Sequence, residues 1–232
     1  MKANSSKTVF LDSKELETMA YELKRKRVDY YLFFELVYKT GVTGFPLLKM
    51  TVSDIKQFCE DYAEFLPDDL LRNINEHMNG KSDSDYFFNA KLRPSCKLSK
   101  RTVENVLSTI GNEFGYPDFS VKNLYKTFFY EQFRACGYSY EDFKPFLRER
   151  NRYIADLPAF LDYCGLTMED YEQDIAKHMT DKNVLIKELD ELTNFFEVIK
   201  EKLSNNEIAG EEYRKISSLI TQVAVLVNHS SK

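Results

Sequence analysis

Apolar side chains in this chain recur in steps of three and four residues, and that spacing leaves room for little besides helix. Leu16, Met19, Ala20 and Leu23 fall on one such face, Leu70, Leu71, Ile74 and His77 on another, and Val103, Val106, Leu107, Ile110 and Phe114 on a third. From Val28 to Tyr38 the residues are aromatic or apolar on most sides, which predicts a deeply buried helix. The expected fold is therefore mainly α. Alternation competes with helical spacing only where Ile55, Gln57 and Cys59 interleave with Lys56, Phe58 and Glu60. At most a short strand or stub hairpin fits there, so at most a small, eroded sheet is expected near residues 55–65.

Local signals divide these helices. Asp12 or Ser13 can cap the first, and Gly41 and Gly44 end the buried one, with Pro46 opening the next helical turn. Asp68 or Asp69 is expected to cap a helix that runs to Met78 and breaks at Asn79-Gly80. Ser99 is the expected cap of the Val103 helix, and Gly115-Tyr-Pro-Asp118 is a turn. Residues 1–10 read as a disordered lead, 11–164 as a helical domain and 165–232 as a C-terminal extension. In that extension Leu185, Leu189, Leu192, Phe196, Ile199 and Leu203 step alternately by four and three, an apolar heptad seam. Ile216, Ile220, Val223 and Val227 continue the spacing beyond Gly210. A helical hairpin is expected, its seam either internal packing or a dimer interface.

Composition bounds the chemistry. No run of 18 apolar residues exists, so no membrane span is expected, and the first residues lack the apolar stretch of a signal peptide. Cys59, Cys96, Cys136 and Cys164 form no C-x-x-C pair and lie near no histidine. They are expected to be buried free thiols of a cytoplasmic protein that binds no metal or other cofactor. His77, on an apolar helix face, reads as structural. The net charge of -5 is unevenly spread. Residues 165–232 hold 13 acids and 8 bases, whereas residues 91–152 hold 12 Lys or Arg against 7 Asp or Glu. A local basic excess is what a phosphate backbone would feel. Lys24-Arg-Lys-Arg27 is a second basic run, read as the solvated end of a helix.

Two segments carry a resemblance. Lys39-Thr-Gly-Val-Thr-Gly-Phe-Pro-Leu-Leu-Lys-Met-Thr-Val-Ser-Asp-Ile55 resembles the start of the catalytic domain of tyrosine recombinases, the phage integrase family, at Thr40, Gly41, Leu47, Leu48, Ser53 and Asp54. Ser120-Val-Lys-Asn-Leu-Tyr-Lys-Thr-Phe128 resembles the family's His-x-Leu-Arg-His-Thr-Phe box at Leu124, Thr127 and Phe128. Tyr86-Phe-Phe88 and Gly137 to Leu147 resemble further family segments, and the likeness spans residues 10–155. The family's separate N-terminal DNA-clamping domain is expected to be absent. The resemblance implies a recombinase-like helical domain with an eroded sheet.

It also implies lost chemistry. Tyrosine recombinases attack a phosphodiester with a tyrosine hydroxyl, neutralise the phosphate with two arginines and move protons with histidine and lysine. Here Thr43 stands at the first arginine position, Tyr125 at the second, Lys122 and Lys126 at the histidines of the box, Glu149 at a further histidine and Pro158 at the nucleophile. No strand transfer is expected. Duplex-DNA binding is, through Arg93, Lys97, Lys100, Arg101, Lys122, Lys126, Arg148, Arg150 and Arg152. Lys122 and Lys126 are expected to point into the former active cleft. By the family's example such a protein would be a regulator or architectural factor of a phage or other mobile element; the Leu185–Leu203 seam would pair it as a dimer. The alternative is a protein-interaction module that has lost DNA and works through its C-terminal helices. A different enzyme using Tyr153 or Tyr163 with neighbouring arginines is a third possibility.

Overall fold

In a computed structural model, residues 13–90 and 93–180 are described. The chain divides into two compact units, Met1–Met168 and Glu169–Lys232. Within the second unit the described residues, 169–180, are helical. The heptad seam from Leu185 to Leu203 and the hairpin built on it lie outside the described residues.

The first unit is mainly helical and is assembled around α2 (Val28–Thr40). Leu32, Phe33, Phe34, Leu36 and Val37 are all 1% exposed or less, so this helix is covered on nearly every side. Burial of each such side chain stabilises the fold by about 1.5–3 kcal/mol. α1 (Ser13–Lys26), α4 (Asp68–Met78) and α6 (Val121–Ala135) pack against it, and α7 (Tyr140–Glu149) and α8 (Leu157–Cys164) pack on α6. α2 stops at Gly41, whose left-handed backbone (φ 68) lets its N–H reach the Val37 carbonyl. A 3-10 turn, Phe45–Lys49, follows with Pro46 in its first positions.

The stretch expected to hold a strand, residues 55–65, is helical instead. α3 (Val52–Asp61) occupies it, followed by a 3-10 turn, Ala63–Phe65. Two local causes outweigh the weak alternation. Val52, Ile55 and Phe58 fall on one buried face, and Thr51 with Asp54 forms a reciprocal capping box that nucleates the helix. The chain from 83 to 87 runs alongside this start, accepting from the Val52 and Ser53 amides at Asp85 and Asp83. The sheet lies elsewhere. β1 (Asn89–Ala90) pairs antiparallel with β2 (Arg93–Lys97).

Other caps follow the sequence. Ser99 caps α5 (Lys100–Glu113) through the Thr102 amide. α4 begins differently, with Pro67 at the cap and Asp68 and Asp69 in the first turn, where they favour the positive end of the helix without a capping bond. Of the four free cysteines only Cys164 is buried. Cys96 is exposed on β2, a strand of a two-stranded sheet, and Cys59 and Cys136 are half-buried.

Candidate functional site

The two basic runs meet different fates. Lys24 donates to Asn73 Oδ1 at 2.7 Å, and Arg25 pairs with Glu22 at 3.0 Å. Lys26 pairs with Glu113 at 2.8 Å and Arg27 with Asp29 at 2.7 Å. Each residue of the run at the end of α1 thus has a polar partner in the chain, three of them an ion pair, and Arg27–Asp29 is the pair largely withdrawn from solvent. Asp29 extends this network: its Oδ1 lies 3.5 Å from His77 Nε2, and Lys81 Nζ reaches His77 and the Phe87 carbonyl. Burial alone would raise the Asp29 pKa, but the hydrogen bond and charge of His77 and those of Arg27 outweigh it and hold the carboxyl below its ordinary value. His77 is thus held between Asp29, Lys81 and the Phe87 carbonyl, with its ring edge-on to Phe87.

The second run, at the end of α7, has no such partners. Arg148, Arg150 and Arg152, with Lys144 one turn earlier, form no ion pair among the described residues. Arg150 lies over the rings of Tyr62, Phe65 and Phe146, at 4.7, 4.8 and 5.4 Å from their centroids. Arg152 lies over Tyr125 and Phe129, at 5.8 and 5.7 Å. These contacts fall within cation–π range.

Arg150 and Arg152 line a cleft of about 440 Å³ whose opposite wall is the turn after α2. Gly41, Val42, Thr43 and Pro46 form that wall, and Glu149 faces the same space. Thr43 and Glu149, which occupy two of the family's catalytic positions by resemblance, therefore line one cleft. It holds two guanidiniums against one carboxylate. An anion with several oxygens, such as a phosphate, fits that balance, because a guanidinium can offer two parallel N–H donors. A second depression, of about 300 Å³, adjoins the first and shares Arg152 with it. Lys144, Arg148 and Tyr153 line it as well.

Other expected residues lie apart. Lys122 and Lys126 do not line the cleft. Lys122 is exposed on α6, and Lys126 is half-buried with its Nζ 4.6 Å from the Tyr163 ring centroid. The reason is helical geometry: Lys126 sits on the α6 face that receives α8. Lys97 and Arg101 are exposed at the end of β2 and on α5. Lys100 pairs with Glu104 at 3.5 Å and covers the Phe45 ring at 4.4 Å, which brings it beside the turn after α2. Arg93 lies on β2. Pro158, at the nucleophile position of the resemblance, is in the first turn of α8 and exposed.

Among the described residues neither Tyr153 nor Tyr163 shares a hydrogen bond with a basic group. The Tyr163 hydroxyl is buried without a hydrogen-bond partner, and burial pushes its pKa well above the ordinary value, with Arg152 opposing. Tyr125 is likewise shifted up by burial against the pull of Arg152. Such shifts oppose the phenolate needed for attack. Lys144 and the aromatic box around Arg150 were missed by sequence reasoning. Lys144, Arg148 and Arg152 step by four, a signal that was readable. The box was not, because Tyr62 and Phe65 reach Arg150 only through the tertiary fold. Among the described residues no group of histidine, cysteine and carboxylate side chains could hold a metal ion, and no helix is long and apolar enough to cross a membrane. Comparison with protein-family models, with curated proteins and with solved structures finds no match.

Proposed function

We propose that this chain is a catalytically inactive protein of tyrosine-recombinase type that binds duplex DNA, serving a phage or other mobile element as a regulator or architectural factor. One observation carries the reading. Among the described residues Arg148, Arg150 and Arg152 form no ion pair and face two adjoining depressions, while three of the four cations of the run at the end of α1 are ion-paired. In a chain of net charge -5, a cluster of cations with no ion pair among the described residues concentrates positive charge at one spot. Support for the recombinase type comes from the sequence segments around Gly41 and Phe128, and the substitutions at their chemical positions are why no cleavage is attributed to it. Thr43 offers no charge, and Glu149 offsets part of the charge of the two guanidiniums rather than adding to it.

The test is duplex binding as a function of salt. Each phosphate contact changes log K by roughly 0.9 per decade of salt. Replacing Arg148 and Arg152 together by Gln is expected to reduce the slope by about two such contacts. Absence of duplex binding by the native chain at low salt would remove the DNA reading. The interaction-module reading, centred on the apolar seam at residues 185–227, would then take its place.

A further inference from the structure

Tyr153 is 83% exposed, the most open large apolar side chain among the described residues. It does not hang from a loose segment. The Arg152 amide donates to the Leu147 carbonyl at 2.8 Å, and the Tyr140 hydroxyl donates to the Ile154 carbonyl at 3.0 Å. Asn151 takes the left-handed conformation (φ 55) that turns the chain, and Asp156 fastens the next residues to α8 through the Ala159 amide at 3.0 Å. The backbone is thus pinned on both sides of a ring that stands in water. Beside it is the depression lined by Lys144, Arg148 and Arg152, three cations and no carboxylate.

A ring with a free face next to unpaired cations suits one kind of ligand: a nucleotide whose base is not already stacked in a helix. Aromatic side chains stack on bases of any sequence, and neighbouring Lys and Arg hold the attached phosphates. A continuous duplex would engage the cations and leave the ring idle, since its bases are paired and stacked inside. We propose that the turn after α7 takes an unpaired nucleotide of a DNA strand, with the base on Tyr153 and the phosphate among Lys144, Arg148 and Arg152. This rests on the DNA reading above and narrows it: the preferred site is DNA with a tail, gap or extruded base.

The experiment compares the full chain's affinity for a blunt duplex and for the same duplex carrying a short single-stranded tail, at one salt concentration. The tail is expected to tighten binding on the order of tenfold, the scale of one base stacked on an aromatic ring. The ratio should fall to about one in Tyr153→Ala and persist in Tyr153→Phe, which keeps the ring and removes the hydroxyl. The chain has no tryptophan, so Tyr153→Trp supplies a single indole reporter. Its fluorescence should be quenched by the tailed duplex and not by the blunt one. Equal affinity of the native chain for both DNAs overturns the pocket while the duplex reading stands, as does a preference that survives Tyr153→Ala. Binding to neither DNA overturns both. Binding that requires the tail supports the pocket and overturns the duplex reading alone.

Discussion

The edge of the Phe128 ring fills the space that a side chain on Gly41 would need. A β-carbon there would lie 2.2 Å from Phe128 Cδ1, and Gly41 holds a left-handed backbone besides. Three residues on, a β-carbon at Gly44 would lie 2.7 Å from Val121 Cγ1. These approaches seat the turn after α2 against α6, so the two sequence segments that carry the resemblance touch each other. Gly41→Ala therefore meets both overpacking and an unfavourable φ, and is expected to cost about 2–5 kcal/mol in urea unfolding. Gly80 has φ 81 and no atom within 4 Å of the same test position, so Gly80→Ala should cost only about 1–2 kcal/mol.

Glu35 is expected to make stability depend on pH. It is buried on α2, and that burial, reinforced by Asp69, Glu17 and Glu131 against Lys39, pushes its pKa up to about 7. Nearby, Glu131 on α6 accepts a hydrogen bond from Tyr38 at 2.6 Å and is also shifted up by burial. A carboxyl whose folded pKa exceeds its unfolded value binds more protons when folded. Its contribution is complete below about 4.5 and is lost as the pH rises through about 7. Glu35→Gln should raise unfolding free energy at pH 8 by about 1–3 kcal/mol and flatten the profile between pH 5 and 8, read by urea titration.

Asp29 acts with the opposite sign. Its pKa is held below 3.8 in the fold, so its contribution is present above that value and lost as the pH falls below it. Asp29→Ala leaves Arg27 and His77 without their carboxylate and is expected to cost about 3–5 kcal/mol at neutral pH. Urea unfolding at pH 7 checks the size, and the difference from the native protein should shrink towards pH 3.

Lys122 and Lys126 offer a sharper test of how DNA lies. Entry of both into the cleft lined by Arg150 and Arg152, as the resemblance implies, would make the double change to Ala lower the salt slope by about two phosphate contacts. Lys126 instead packs on Tyr163, which leaves Lys122 as the exposed member. The expected decrease is about 0.9 in log K per decade of salt, one contact. A decrease near twice that would place DNA across α6 as the resemblance implies.

No covalent chemistry is expected. Incubation with a nicked duplex followed by denaturing electrophoresis should show no protein–DNA adduct. An adduct that disappears in Tyr153→Phe or Tyr163→Phe would establish an enzyme.

What the sequence showed and what it hid divides by range. The α2 helix, its stop at Gly41 and the Ser99 cap are decided within a few residues, and each was legible. The strand expected at 55–65 failed because Thr51 and Asp54 close a capping box, a local signal that was overlooked for a weak alternation. β1 and β2 were not legible: a strand of two residues has no period, and its existence depends on backbone pairing. The cleft was legible in part. Thr43 and Glu149 came from the two ends of the resemblance and share one wall space, whereas the seat of Arg150 depends on rings from distant turns, for which no spacing rule exists.

The seating of Arg150 over Tyr62, Phe65 and Phe146 has a consequence for what the cleft can offer. An ion pair would hold a guanidinium still but cancel its charge at short range. Aromatic faces restrain it and cancel nothing, so orientation and charge are supplied independently. Ionic strength should then act on the two unequally: added salt would dim the field at the cleft mouth while the guanidinium kept its pose. The receptor would remain shaped for an anion under conditions in which it no longer attracts one.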